Sequence, residues 1–228
     1  MALILSIESS TPVCSVAVHR EGNLIATSIY HLGQSHSKLL PGIIKELLER
    51  CDLDMKDLDA IAVAGGPGSY TGLRIGVSTA KGIAYATQTP LISVNSLDLM
   101  YEQVASILRN DALFCPMIDA RRMEVYCQLR NKGGEFIWET KPMIVEKDSF
   151  EEIENKAIYL FGNGAAKCKE VLDEKRFLFI ENIHPEAQYM GRLAFEHFQT
   201  NKFEDIAYFE PDYLKEYRTN QPAAKFKL

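Results

Sequence analysis

The chain reads as an α/β protein in which mixed sheets are flanked by helices and the second half is a reduced version of the first. Three observations predict this. Short apolar runs of strand length alternate with longer segments of helical periodicity. The opening order is strand, strand, strand, helix, strand, helix, strand, helix, which combines hairpins with crossovers and so gives a mixed sheet covered by helices. After the polar break Arg109-Asn110-Asp111 the pattern partly restarts. A boundary is therefore expected near residue 110, with one domain over 1–110 and a smaller one over 111–228.

The elements follow in order. Leu3–Ile7, Val13–His19 and Leu24–Tyr30 are strand-like, and Ser9-Ser10-Thr11-Pro12 and Arg20-Glu21-Gly22-Asn23 between them have turn compositions. A helix is expected from Ser37 to Cys51, then the short strand Ala60–Ala64 ending in Gly65-Gly66-Pro67-Gly68. A helix from Thr71 to Ala86, a strand Leu91–Val94 and a helix from Ser96 to Leu108 complete the first half. In the second half Phe114–Ile118 is apolar, and Glu124–Arg130 pairs with Phe136–Glu139 across Asn131-Lys132-Gly133-Gly134. A strand at Ala157–Phe161, the turn Gly162-Asn163-Gly164, and helices near Ala165–Leu172 and Pro185–Gln199 follow.

Composition excludes several classes. Hydrophobic residues at 46% and charged residues at 25% rule out wholesale disorder. No apolar run reaches the roughly 20 residues of a membrane span. The opening Met1-Ala2-Leu3-Ile4-Leu5-Ser6-Ile7-Glu8 has no basic segment and reads as a strand, not a signal peptide. The five cysteines lie far apart without a Cys-x-x-Cys pair, as expected of small buried hydrophobes in a reducing cytoplasm. A net charge of −6 opposes independent nucleic-acid binding, which needs clustered cations.

The most distinctive stretch is the glycine-rich loop from Gly65 to Arg74. Leaving a strand and entering a helix, it offers either a tight turn capped by Ser69 or Thr71 or a cradle for an anion. It lacks the lysine of a P-loop and the last glycine of the dinucleotide fingerprint. Behind it Gly72, Gly76, Ala80 and Ala84 recur every four residues, with Leu73 beside them. Two helical glycines, each costing up to about 1 kcal/mol relative to alanine, need a reason, and the close approach of another backbone supplies one. That neighbour is either the chain's own sheet or a second protein. In the preceding helix Leu39, Leu40, Ile43, Ile44, Leu47 and Leu48 cover an arc of about 180°. A helix on a sheet needs little more than about 100°, so this face is either fully buried or partly left for a partner.

Together these residues resemble the TsaB family, the bacterial tRNA threonylcarbamoyladenosine biosynthesis proteins. The resemblance is carried by Ile4-Leu5-Ser6-Ile7-Glu8-Ser9-Ser10 with Cys14-Ser15-Val16-Ala17, by Ser35-His36-Ser37 before Leu39-Leu40-Pro41, and above all by Gly66-Pro67-Gly68-Ser69-Tyr70-Thr71-Gly72-Leu73-Arg74-Ile75-Gly76. Asp119-Ala120-Arg121-Arg122, Glu124-Val125-Tyr126 and Pro211-Asp212-Tyr213-Leu214 match later segments. It is strong through residue 126 and weak between about 130 and 205.

The resemblance implies two actin-like (ribonuclease H-like) domains, the second degenerate. It also implies a non-catalytic role beside a TsaD-like paralogue, which transfers the threonylcarbamoyl group to the adenosine next to the anticodon. The contact is implied to involve the two helices above, at Leu39, Leu40, Ile43, Leu47, Gly72, Leu73, Gly76, Ala80 and Ala84. A TsaE-like ATPase is a further expected partner, tRNA is met only through the complex, and the same helical stripe is expected to form a homodimer in isolation.

The catalytic paralogue is implied to bind metal through two histidines four residues apart after a Val-Asn pair. Here Val94-Asn95 is followed by Ser96 and, four residues on, Met100, neither of which supplies a nitrogen ligand. His19, His31, His36, His184 and His197 contain no i, i+4 pair and read as surface or capping residues. A ligand loop is expected from Glu8, Ser9, Ser10, Gly66, Gly68 and Ser69, with Asp119 and Arg121 opposite. It lacks the glycines with which actin-like ATPases embrace phosphates, so no cofactor is expected and weak nucleotide binding stays open. An actin-fold kinase or ATPase is the alternative. A metalloprotease would need a zinc constellation such as His-Glu-x-x-His, and the sequence has none.

Overall fold

The computed structural model describes residues 1–33, 36–108, 111–153, 156–172 and 175–214. Ser35 of the quoted motif, Arg109 and Asn110 of the polar break, and residues 215–228 lie outside these. The first sheet contains β1 (Leu3–Glu8), β2 (Cys14–Arg20), β3 (Asn23–Tyr30), β4 (Ala60–Gly66) and β5 (Leu91–Asn95), in the order β3-β2-β1-β4-β5. The second contains β6 (Leu113–Asp119), β7 (Glu124–Arg130), β8 (Phe136–Ile144), β9 (Ile158–Phe161) and β10 (Phe177–Ile180), in the order β10-β9-β6-β7-β8. Each sheet has an antiparallel meander followed by two parallel strands, so the second repeats the topology of the first.

The helices account for the difference in size. The first sheet has α1 (His36–Arg50), α2 (Tyr70–Thr87) and α3 (Ser96–Ala105). Where Ala165–Leu172 was expected to be a helix, the second half has only a 3₁₀ segment at Ala166–Glu170. The expected helix over 185–199 is a 3₁₀ turn at Ala187–Tyr189 followed by α4 (Gly191–Gln199). Met190 and Ala194 pack with Ile4, Ala60, Ala62 and Ile92 of the first sheet. The last strand of the first sheet ends at Asn95 and the first strand of the second begins at Leu113. α4 returns to cover the first sheet, and Glu204 bridges to Leu91 on the edge of β5.

The apolar arc of α1 is not surplus. Leu40, Ile43, Ile44, Leu47 and Leu48 are buried, and Leu39 is half-buried. The five buried residues belong to one core with Leu5, Ile7, Val16 and Val18 of the sheet and with Val77, Ala80 and Ala84 of α2. A helix wedged between a sheet and a second helix needs a wider apolar face than one lying on a sheet alone.

The stripe on α2 is filled in the same way. A Cβ added at Gly72 would lie 2.1 Å from the Ser9 carbonyl oxygen, and one at Gly76 would lie 2.2 Å from Ser9 Oγ. Leu73, Ala80 and Ala84 are buried. The backbone that the glycines admit is therefore the chain's own β1–β2 turn, and Ser9 Oγ–H donates to the Gly72 carbonyl at 2.9 Å.

Helix propensity and packing make opposite demands here. Gly72→Ala is expected to destabilise the protein by about 1–3 kcal/mol, because the contacted atom is backbone and cannot swing aside. Gly82→Ala, whose new methyl meets nothing within 4 Å, is expected to stabilise by up to about 1 kcal/mol. Urea unfolding of the two variants checks this, and shifts of the same sign would contradict the packing described.

Candidate functional site

A cleft of about 1000 Å³ lies between the sheets. Its first wall is the β1–β2 turn, at Ser10, Thr11 and Pro12, with Gly68, Ser69, Tyr70 and Thr71 at the start of α2. The opposite wall is the β6–β7 hairpin, from Asp119 to Arg122, with Asn163 behind it. Asp212, Tyr213 and Leu214 close one side. Of the residues expected to form a ligand loop, Ser10, Gly68, Ser69, Asp119 and Arg121 line this space. Glu8, Ser9 and Gly66 are buried behind it.

The first wall is held together by its own polar groups. The Ser69 N–H donates to the Ser10 carbonyl at 2.6 Å, and a Cβ at Gly68 would lie 2.5 Å from that same oxygen. Ser69 also caps α2, its Oγ accepting from the Gly72 N–H at 3.4 Å. The loop's glycines thus seat the Ser9–Ser10 backbone. Gly66 adopts φ +123°, with Asp212 O 3.0 Å from where a Cβ would be, and the Asp212 N–H donates to the Gly65 carbonyl at 2.8 Å.

Glu8 ends β1 with its carboxyl group fully buried. Oε1 accepts the Ser10 N–H at 2.5 Å, while Oε2 has no partner among the described residues. Burial pushes the carboxyl up to about 7, because a carboxylate loses its hydration there. His19 and His36, expected as surface or capping residues, are both buried. His36 Nε2–H donates to the Thr11 carbonyl at 2.8 Å and so tethers the turn to α1. His19 lies between Ser6 Oγ at 3.0 Å and the Gln188 carbonyl at 3.2 Å, and burial lowers its pKa. Each ring nitrogen that meets a carbonyl must carry the proton, so both imidazoles bind backbone.

Across the cleft, Asp119 pairs with Lys167 and accepts the Arg121 N–H at 3.0 Å. Its own N–H donates to Asn163 Oδ1 at 3.0 Å. Arg121 and Arg122 adopt φ of 68° and 50°, left-handed conformations that a phosphate-embracing loop would give to glycine. Gly162 serves packing, since a Cβ there would lie 3.0 Å from Met100 Sδ. Beside the cleft-lining Tyr70 and Tyr213, the Arg74 guanidinium of α2 stacks on the Tyr70 ring at 4.2 Å and donates to the Tyr213 hydroxyl at 3.2 Å. This cluster was not read from the sequence, although Tyr70, Arg74 and Tyr213 all fall in quoted motifs.

The walls are joined through α3. Asp98 pairs with Arg130 and accepts from Gln128 Nε2 at 3.0 Å, and Tyr101 donates to the Asn131 carbonyl at 3.0 Å. Burial raises the Asp98 carboxyl in spite of the cation beside it. Ser96 and Met100 are completely buried on the same helix, and Met100 packs with Phe114, Ile118 and Phe161 of the second sheet. Among the described residues no helix is long and apolar enough to cross a membrane.

The fold matches that of solved structures. The activator of 2-hydroxyisocaproyl-CoA dehydratase from Clostridium difficile superposes with a TM-score of 0.50 at 9% identity, over 90% of this chain and 98% of that one. YeaZ from Pseudomonas aeruginosa superposes with a TM-score of 0.81 at 23% identity, over 94% of this chain and 100% of that one. The duplicated sheets and the cleft between them define an actin-like ATPase fold. A family model described as TsaD, tRNA N6-adenosine threonylcarbamoyltransferase, matches residues 30–225. The tRNA threonylcarbamoyladenosine biosynthesis protein TsaB of Bacillus subtilis is 31% identical over 221 residues, 93% of each chain. The chain belongs to the TsaB family, a relative of TsaD within the actin-like fold.

Glu8 gives the site a pH signature. Its carboxyl group titrates near 7 in the fold and near 4.5 when exposed, so folding favours the protonated form. The contribution is complete below about pH 4.5 and is lost as pH rises toward and through 7, by about 3 kcal/mol in total. Glu8→Gln keeps the acceptor for the Ser10 N–H and cannot ionise. Urea unfolding is expected to show the variant matching the parent near pH 4.5 and exceeding it at pH 8, and parallel profiles would refute the buried acid.

Proposed function

We propose that the protein is the non-catalytic partner of a TsaD-like transferase in threonylcarbamoyladenosine formation on tRNA, acting as scaffold and activator. The observation that carries the reading is similarity to a TsaB protein over 93% of the chain. Ser96 and Met100 on α3 support it. They stand where the resemblance places the paralogue's metal-binding histidines, and they bury a hydroxyl and a thioether in an apolar seam. A TsaE-like ATPase joins the assembly, and tRNA is met through the complex, in keeping with a net charge of −6.

The docking surface proposed for the transferase is the outward side of α1 and α2. The residues expected from the sequence, Leu40, Ile43, Leu47, Gly72, Leu73, Gly76, Ala80 and Ala84, lie beneath that surface and shape it from below. Leu39, Ser78, Gly82 and Tyr85 face outward, with Tyr85 78% exposed. A flat helical face with one large aromatic suits a close helix-to-helix contact.

Purified alone, the protein is expected to modify no tRNA. With the TsaD-like transferase of the same organism it is expected to co-elute and to raise the yield of modified adenosine by roughly tenfold or more. Gly82→Arg combined with Tyr85→Glu is expected to weaken that complex by at least about tenfold with circular dichroism unchanged. Modification by the isolated protein overturns the assigned role. Undiminished binding by the folded double variant overturns the assigned surface.

A further inference from the structure

We propose, resting on the reading that α2 carries the docking surface, that Arg74 is a preset anchor for a carboxylate of the transferase. Tyr70 holds it ready from α2, and Tyr213 does so from the end of a strap, so docking also fastens that end beside the cleft. The strap is residues 204–214. Its first part is pinned. The Glu204 N–H donates to the Leu91 carbonyl at 2.8 Å, and Ile206 and Phe209 pack against the core of the first sheet. Lys81 of α2 donates to the Ala207 and Phe209 carbonyls at 3.3 and 3.1 Å. From Lys81 the strap runs beside α2 toward the start of that helix. Its last part is held by less: the Asp212 N–H donates to the Gly65 carbonyl at 2.8 Å, and the Tyr213 ring lies 4.8 Å from that of Tyr70.

Arg74 closes this cluster with only part of its capacity. Its Nε–H donates to the Tyr213 hydroxyl at 3.2 Å while the guanidinium stacks 4.2 Å above the Tyr70 ring. A guanidinium has five N–H groups, and among the described residues nothing accepts from Nη1 or Nη2. Glu210 of the strap acts on the cation only from a distance. The outer end of the side chain is therefore an open fork, whose parallel N–H groups match the two oxygens of a carboxylate. An arginine usually loses rotamer freedom when it binds, but here the stack and the hydrogen bond have already taken most of it. The side chain also stands in the right place. Arg74, Ser78, Gly82 and Tyr85 are all exposed, and at 100° per residue they fall within an arc of about 80°. Arg74 thus ends the outward stripe of α2 on the side of the cleft. The helix carries two cations and no acid, and Lys81 is spent on the strap. One free guanidinium balances the single charge of a carboxylate better than the double charge of a phosphate.

Titration calorimetry with the transferase of the same organism is expected to show Arg74→Gln binding roughly tenfold or more weakly, with circular dichroism unchanged. Arg74→Lys, a point charge without a fork, is expected to stay at least about fivefold weaker than the parent. Tyr213→Phe keeps the ring and removes only the acceptor that positions the guanidinium, and is expected to cost about threefold. In hydrogen exchange the Asp212 amide is expected to slow about tenfold in the complex while the Phe209 amide, bonded within the pinned part, keeps its rate. Inorganic phosphate at about 10 mM is expected to leave the Asp212 amide unchanged, and slowing by phosphate alone would assign the fork to a free anion and overturn the partner carboxylate. Parent affinity in Arg74→Lys overturns the fork. Parent affinity in Arg74→Gln, with binding still weakened by Gly82→Arg and Tyr85→Glu, overturns the anchor and leaves the docking surface standing. Parent affinity in all of these variants overturns the surface as well.

Discussion

One close contact organises the first wall of the cleft, the Ser9–Ser10 turn lying against the glycine face of α2. Because Gly68, Gly72 and Gly76 lack side chains, the turn after β1 can sit where a methyl group would otherwise be. That seat fixes how α2 lies over β1 and β4. It brings the Ser69 N–H onto the Ser10 carbonyl and leaves the Glu8 carboxyl sealed below the turn. One wall of the cleft is thereby made from chain that in other settings would be free to hold a ligand. The dense packing of a protein interior makes such a contact intolerant of even one added carbon.

The second organising element is α3, which belongs to both halves. It continues directly from β5 and buries Leu97, Met100, Tyr101 and Val104 against Phe114, Ile118 and Phe161 of the second sheet. Its polar residues do the same work at the rim, where Asp98 meets Arg130 and Gln128. Arg130 also lies 3.8 Å from the ring of Phe136 and 4.9 Å from that of Tyr101, so the cation is covered by aromatic faces. Desolvating both charges is tolerable because each keeps a partner. The two sheets are therefore joined by a shared helix and a largely buried ion pair.

Much of this was legible in the sequence, for reasons that can be named. The strands of the first sheet are short apolar runs bounded by turn residues, and period and punctuation agree there. The glycines of α2 announced a close backbone, although only the structure shows that the neighbour is the β1–β2 turn. β10 went unread because Phe177–Ile180 is four residues without a clear turn signal on either side. Whether the apolar arc on α1 was wholly buried stayed open because burial on two sides cannot be seen in a periodicity. The burial of His19 and His36 was not legible because an imidazole that binds a carbonyl has no local sequence signature. The Arg74–Tyr70–Tyr213 cluster joins positions 139 residues apart, and no local pattern reaches that far.

Arg121 and Arg122 carry a consequence of their own. Left-handed geometry is costly for residues other than glycine, about 1 kcal/mol or more at each position. The hairpin thus holds two adjacent cations at the mouth of the cleft at the expense of its own stability. The surrounding molecule is acidic, with a formal charge of −6. Seen from afar, an anion meets a repulsive field. Within roughly one screening length, about 8 Å at physiological salt, the local field is set by these arginines together with Asp119, Glu124 and Asp212 of the same lining. The mouth of the cleft is thus a place of mixed charge on an acidic molecule, and its own field reaches no farther than that length.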